Sequence, residues 1–111
     1  MAFAREEAAA EAQQARHWRI TAALRPEAGG PTQIELSARD RAGQPLTGLN
    51  ATVALHHPND RRLDRRVAMQ ADGPGRFRGA VAPHPGQWDL VIELARDGER
   101  LFSSKERVIL R

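Results

Sequence analysis

Two periods follow one another along the chain. Residues 2–16, AFAREEAAAEAQQAR, are rich in Ala, Glu, Gln and Arg, a composition that favours helix. Phe3 is the only large hydrophobe there, alanines supply the remaining apolar positions, and no Glu stands four residues before an Arg. Such a helix draws most of its stability from something it packs against or grows out of, so its amino end reads as the place where a longer helix was cut.

From Trp18 the period becomes two, the mark of strands with one buried and one wet face. In WRITAALR, Trp18, Ile20, Ala22 and Leu24 share one face, with Arg19, Thr21, Ala23 and Arg25 on the other. In TQIELSAR, Ile34, Leu36 and Ala38 alternate with Gln33, Glu35, Ser37 and Arg39. The intervening PEAGGP suits a hairpin turn, and RDRAGQPLTGLN, with Gly43, Pro45 and Gly48, suits a connection between sheets. A third strand, ATVALHH, carries Ala51, Val53 and Leu55 in phase and stops at Pro58. After the charged DRRLDRR, a short strand RVAMQ places Val67 and Met69 in phase, ADGPG turns the chain, and RFRGAV sends Phe77 and Val81 inward. QWDLVIELA alternates Trp88, Leu90, Ile92 and Leu94, Asp97-Gly98 is a strong two-residue hairpin signal, and RLFSSKERVIL closes with Phe102, Val108 and Leu110 in phase.

This pattern predicts a mainly β protein: an immunoglobulin-like antiparallel β-sandwich of about seven strands (residues 18–111) after an N-terminal α-helical stalk (residues 1–17). The lack of helices between strands excludes an α/β fold. Trp18 and Trp88 both fall on inward faces, where each buries about 200 Å2, and replacing either by Ala is expected to cost about 3–5 kcal/mol.

With 111 residues there is room for one core, and the absence of cysteine removes disulfides, thiolate metal sites and cysteine nucleophiles. No apolar run reaches the roughly 20 residues of a membrane span, and no secretory signal opens the chain. The net charge of +3 and sequence pI near 10.9 raise the question of nucleic acid. Read by segment, the excess is thin and spread out, and it rests on arginine with a single lysine, so no nucleic-acid partner is expected.

Four histidines are the only candidates for metal or proton chemistry. His56 and His57 are neighbours on a strand and point to opposite faces, so they cannot jointly ligate one ion in the ordinary way. His57 sits at the strand end, where it can turn to water; His84 lies between two prolines, and His17 joins helix to strand. A copper or zinc site would draw on His56 or His57 with His84 or Met69, since imidazole and thioether suit copper. Asp60, Asp64 and the arginines of DRRLDRR read first as a solvated loop and second as a docking surface. The candidate interaction residues are therefore Arg61, Arg62, Arg65 and Arg66, with Arg76 and Arg78 on an outward strand face. No enzyme is expected: the serines lack a nucleophile elbow, no carboxylates stand as an acid/base couple, and ADGPG joins two strands instead of opening a helix at a phosphate.

An Ala- and Glu-rich helix ending in ARHW is followed by SARDRAGQPLTGLNATVALHHP and DGPGRFRGAVAPHPGQWDLVIELARDGERLF. In this order and over nearly the whole chain, the sequence resembles the FixH (CcoH) family, the nitrogen-fixation-associated proteins. The most specific stretches are D-x-x-G-x-P-L-x-G-L from Asp40 to Leu49 and P-G-Q-W-D-L from Pro85 to Leu90. The resemblance implies a single-span protein of the bacterial inner membrane with a periplasmic domain. Its relatives are encoded beside a copper-transporting ATPase and serve assembly of the cbb-type haem–copper oxidase. The implied partners are oxidase subunits or assembly factors, including the copper-ATPase system, and the implied alternative role is copper binding or delivery to the same oxidase. The membrane span that should precede Phe3 is missing, and the chain has no Tyr, although the family tends to carry aromatics in that helix. The resemblance transfers no catalytic residue.

Overall fold

The computed structural model describes residues 2–110, with side chains from 6 to 110. It begins with α1 (Ala2–Arg16), followed by β1 (Arg19–Arg25), β2 (Thr32–Arg39), β3 (Asn50–His56), β4 (Arg65–Ala68), β5 (Gln70–Ala71), β6 (Arg76–Val81), β7 (Gly86–Arg96) and β8 (Glu99–Leu110). Phe3, read as the helix's one large hydrophobe, has a side chain outside the described residues. The helix stops because His17 takes a left-handed conformation (φ 52°) and its N–H bonds back to the Gln14 carbonyl, turning the chain into β1.

The strands form two four-stranded antiparallel sheets, one in the order β1-β2-β6-β5 and the other β4-β3-β7-β8. The alternation read from the sequence sets the register. Ile34, Leu36, Phe77 and Val81 from the first sheet meet Val53, Leu55, Trp88, Leu90, Ile92 and Leu94 from the second in one buried cluster. Both sheets thus face a shared core, and only one face of each is wet. Asp97 and Gly98 form the expected two-residue turn, both with positive φ (52° and 81°), between β7 and β8. The segment after β2 crosses between sheets as expected. Gly75 is needed beside it, because with φ +67° a Cβ there would lie 2.6 Å from the Ala38 carbonyl oxygen.

Two expectations are corrected. The segment RVAMQ, read as one strand, is two: β4 pairs with β3, β5 pairs with β6, and Met69 is the crossing point, giving eight strands where about seven were expected. The chain can cross there because Gly79 on β6 presents no side chain; a Cβ would sit 2.6 Å from Met69 Sδ and 2.9 Å from Val67 Cγ1. The second correction concerns the tryptophans. Trp88 is 1% exposed in the middle of the core, whereas Trp18 lies outside β1 and is only partly buried at the core's margin. Trp18 precedes an edge strand, where among the described residues no further strand covers it and only the Arg16 guanidinium lies over its ring.

Candidate functional site

Three of the four histidines gather near one end of the β4-β3-β7-β8 sheet, and the neighbouring loop, exposed at Arg61 and Arg62, carries its own hydrogen bonds. His56 is exposed, and its Nδ1–H donates to Asp64 Oδ2 at 2.9 Å. Asp64 Oδ1 accepts the backbone N–H of His57 at 2.7 Å. His57 is half-buried. Its ring meets the Trp88 indole edge to face at 5.1 Å, and its Nδ1 accepts the N–H groups of Asn59 (3.2 Å) and Asp60 (3.0 Å). A carboxylate only accepts and a backbone N–H only donates, so Nδ1 is the donor in His56 and the acceptor in His57. Asp60 caps a short 3-10 turn, Arg61–Leu63, through the Arg62 N–H, and the Arg62 side chain returns to it through Nε and Nη2, both at 3.0 Å.

These contacts hold two carboxyls below their ordinary range. The Arg62 side chain is the main cause at Asp60, and the His56 side-chain hydrogen bond is the main cause at Asp64, with backbone N–H donors next in each case. His84 is exposed, and its part here is main-chain: its carbonyl accepts the Trp88 indole N–H at 2.9 Å.

Met69 is not among them. Its N–H bonds to the Ala51 carbonyl, which lies six residues along the strand from His57, about 20 Å at the rise of an extended chain. Its thioether is pressed toward Gly79. Strand register thus places the Met69 backbone apart from His56 and His57. Among the described residues no three His, Cys, Asp or Glu side chains converge as metal ligands.

The candidate arginines do not share one surface either. Arg61 and Arg62 lie on the 3-10 turn, Arg66 stands opposite Ala54 on the outer face of the β4-β3-β7-β8 sheet, and Arg65 stands opposite buried Leu55. Arg65 escapes the core by folding back, its Nη1 donating to the carbonyls of Leu63 (2.9 Å) and Asp64 (3.1 Å). Arg76 and Arg78 project from the outer face of the other sheet, opposite Ser37 and Glu35.

A contact that the sequence reading missed ties the helix to the sheet. The Gln13 side-chain amide imitates a β-strand partner: its Nε2 donates to the Ser103 carbonyl and its Oε1 accepts the Ser103 N–H, both at 3.0 Å. One turn later Arg16 Nη1 donates to the Leu101 carbonyl at 2.7 Å, with its guanidinium over the Trp18 ring, 5.4 Å from the centroid. Gln13 and Arg16 stand three apart and so point the same way. That spacing was the only signal, and it names no partner. The helix thereby satisfies main-chain groups on the free edge of β8, a place where unpaired N–H and C=O groups invite association.

A family model described as FixH matches residues 1–108. The chain belongs to the FixH family. No curated protein and no solved structure matches it. The FixH match takes in α1, β1 to β7 and all but the last two residues of β8, so the helix and the sandwich are parts of one pattern. The two stretches that carried the resemblance turn out to build the fold. Asp40 Oδ1 accepts the N–H groups of Ala42 and Gln44, both at 2.9 Å, Gly43 takes φ 85°, and Leu49 is buried. In the second stretch Gly86 takes φ 136° and Trp88 and Leu90 enter the core. No helix among the described residues is long and apolar enough to cross a membrane.

Proposed function

We propose that this FixH-family chain is a non-enzymatic interaction module that assists assembly or maturation of a cbb-type haem–copper oxidase. In this reading it is held at the periplasmic face of the bacterial inner membrane by a span preceding α1, with residues 1–17 as stalk and 18–111 as the binding domain. The observation that carries the reading is the family match over residues 1–108, which embraces helix and sheets together. The geometry supports it: the motif residues Asp40, Gly43, Gly86 and Trp88 shape turns and core, leaving sheet faces and loops as the parts that can meet a partner. We read the sandwich as immunoglobulin-like, since β1-β2-β6-β5 and β4-β3-β7-β8 reproduce the A-B-E-D order of such domains and their C-F-G order with an added edge strand.

The test is genetic and biochemical. Deleting the gene in its host should lower the amount of assembled cbb-type oxidase, the full membrane-anchored protein should restore it, and oxidase subunits or assembly factors should co-purify with the anchored protein. Normal oxidase levels in the deletion strain would refute the reading.

A further inference from the structure

The fold collects charge that the sequence scatters. On the outer face of the β1-β2-β6-β5 sheet the register sets Arg19 beside Arg39, Arg25 beside Gln33, Thr21 beside Ser37, Ala23 beside Glu35, Ser37 beside Arg76 and Glu35 beside Arg78. Five arginines from three strands therefore share one face with a single strand carboxylate, that of Glu35, although the whole chain carries only +3. All five arginines are exposed. Glu35 meets Arg25 at 3.4 Å, Arg39 Nη1 donates to the Gly43 carbonyl, and among the described residues Arg19, Arg76 and Arg78 have no side-chain partner. On the outer face of the opposite sheet, by contrast, Asp89 is met by both Lys105 (3.8 Å) and Arg107 (3.3 Å).

The face is also grooved. Between the arginines run the short side chains of Thr21, Ala23 and Ser37, above a hollow of about 360 Å3 that Arg76 flanks and that Glu35 and Asp72 also line. Strands spaced about 4.8 Å apart and rising about 3.3 Å per residue make a face about 15 Å wide and 23 Å long. That is well below the ~800 Å2 per partner of a standard protein interface, but it is wide enough for one extended segment. With neighbouring charges inside a Debye length of about 8–10 Å, the arginines act as one positive field.

We propose that this face is a docking site for an acidic polypeptide segment, one with more Asp and Glu than Lys and Arg, laid along the Thr21–Ser37 groove with its carboxylates on Arg19, Arg39, Arg76 and Arg78. Guanidinium groups favour this ligand because each presents a planar fork that takes a carboxylate through two parallel hydrogen bonds. A groove floored by Ala, Ser and Thr admits a chain, whereas a bilayer surface is broad and cannot enter it. The proposal deepens the reading of the protein as an interaction module and rests on it only for the expectation that a protein partner exists.

The experiment uses the full membrane-anchored protein in its host, with a photoreactive amino acid at position 37 and, as control, at position 52 on the outer face of the other sheet. Crosslinked peptides are identified by mass spectrometry, and the position-37 protein is compared with the same protein carrying Arg76→Glu and Arg78→Glu. These exposed positions are expected to leave the thermal unfolding midpoint unchanged; if it falls, the neutral pair Arg76→Gln and Arg78→Gln replaces them. The expected result is a position-37 adduct on a net-acidic peptide, reduced at least ten-fold by the double variant and absent from position 52. A lipid or nucleic-acid adduct, a peptide without net negative charge, equal yield from position 52, or no adduct would overturn the proposal. An acidic adduct together with normal oxidase levels on gene deletion would leave the docking site standing while removing the assembly role. Loss of oxidase on gene deletion with no acidic adduct would do the reverse.

Discussion

Trp88 offers the sharpest test of the core. It is 1% exposed, its ring is met edge-on by His57, and its N–H donates to the His84 carbonyl at 2.9 Å. Trp88→Ala removes roughly 200 Å2 of buried surface, worth about 5 kcal/mol at 25 cal/mol per Å2; the alanine recovers part of this and the cavity adds to the loss, for a net cost of about 3–5 kcal/mol. A domain of this size is stable by about 5–15 kcal/mol, so the variant should unfold about 12–20 °C lower or fail to fold. Trp88→Phe keeps most of the packing and gives up the hydrogen bond, for about 1–2.5 kcal/mol. Trp18→Ala, at the margin of the core, should lose about 1–2 kcal/mol. Urea unfolding followed by far-ultraviolet circular dichroism at 25 °C ranks the three without relying on tryptophan emission. If Trp18→Ala costs as much as Trp88→Ala, the placement of the two indoles is wrong.

Four further outcomes follow from particular contacts. Gly75→Ala should destabilise by about 2–4 kcal/mol in thermal unfolding, because a left-handed backbone and a Cβ 2.6 Å from the Ala38 oxygen act together. Gln13→Ala should cost about 1 kcal/mol and speed hydrogen exchange at the Ser103 amide about five-fold while leaving β3 and β7 amides unchanged. The Asp60 and Asp64 carboxyls lie below their ordinary range, so their contribution is complete above about pH 4 and is lost as the pH falls through the depressed folded values. The amide signal of His57 should therefore move at low pH, and Asp64→Asn should abolish that movement. Any copper the chain takes up should bind equally well, within two-fold, after Met69→Leu, because the Met69 backbone is bonded to Ala51, six positions or about 20 Å of extended chain from His57; calorimetric titration with Cu(I) and Cu(II) decides this.

Period-two alternation made the two-sheet plan legible, because a strand with one dry face must repeat every two residues and Trp88, Leu90, Ile92 and Leu94 do so without exception. The turns were legible where their chemistry is local, as at Asp97-Gly98. What local pattern cannot convey is which strands become neighbours. The crossing at Met69 depends on a glycine ten residues later on another strand, and the Trp18 position looks inward by phase but sits beside an edge. The contacts of His57 were hidden for a related reason: its ring accepts N–H groups two and three residues ahead, a turn that strand periodicity does not signal. Charge was least legible of all, since Arg19, Arg39 and Arg76 lie far apart in the chain and become neighbours only through strand register.

The attachment of the helix to β8 ends on peptide groups: the N–H and C=O of residue 103 and the C=O of residue 101. Substitutions at Leu101 and Ser103 therefore leave the grip intact as long as the strand stays extended, whereas Gln13 and Arg16 admit almost none. Side-chain changes at Ser103 should therefore be better tolerated than changes at Gln13, with the helix keeping the same seat on the strand.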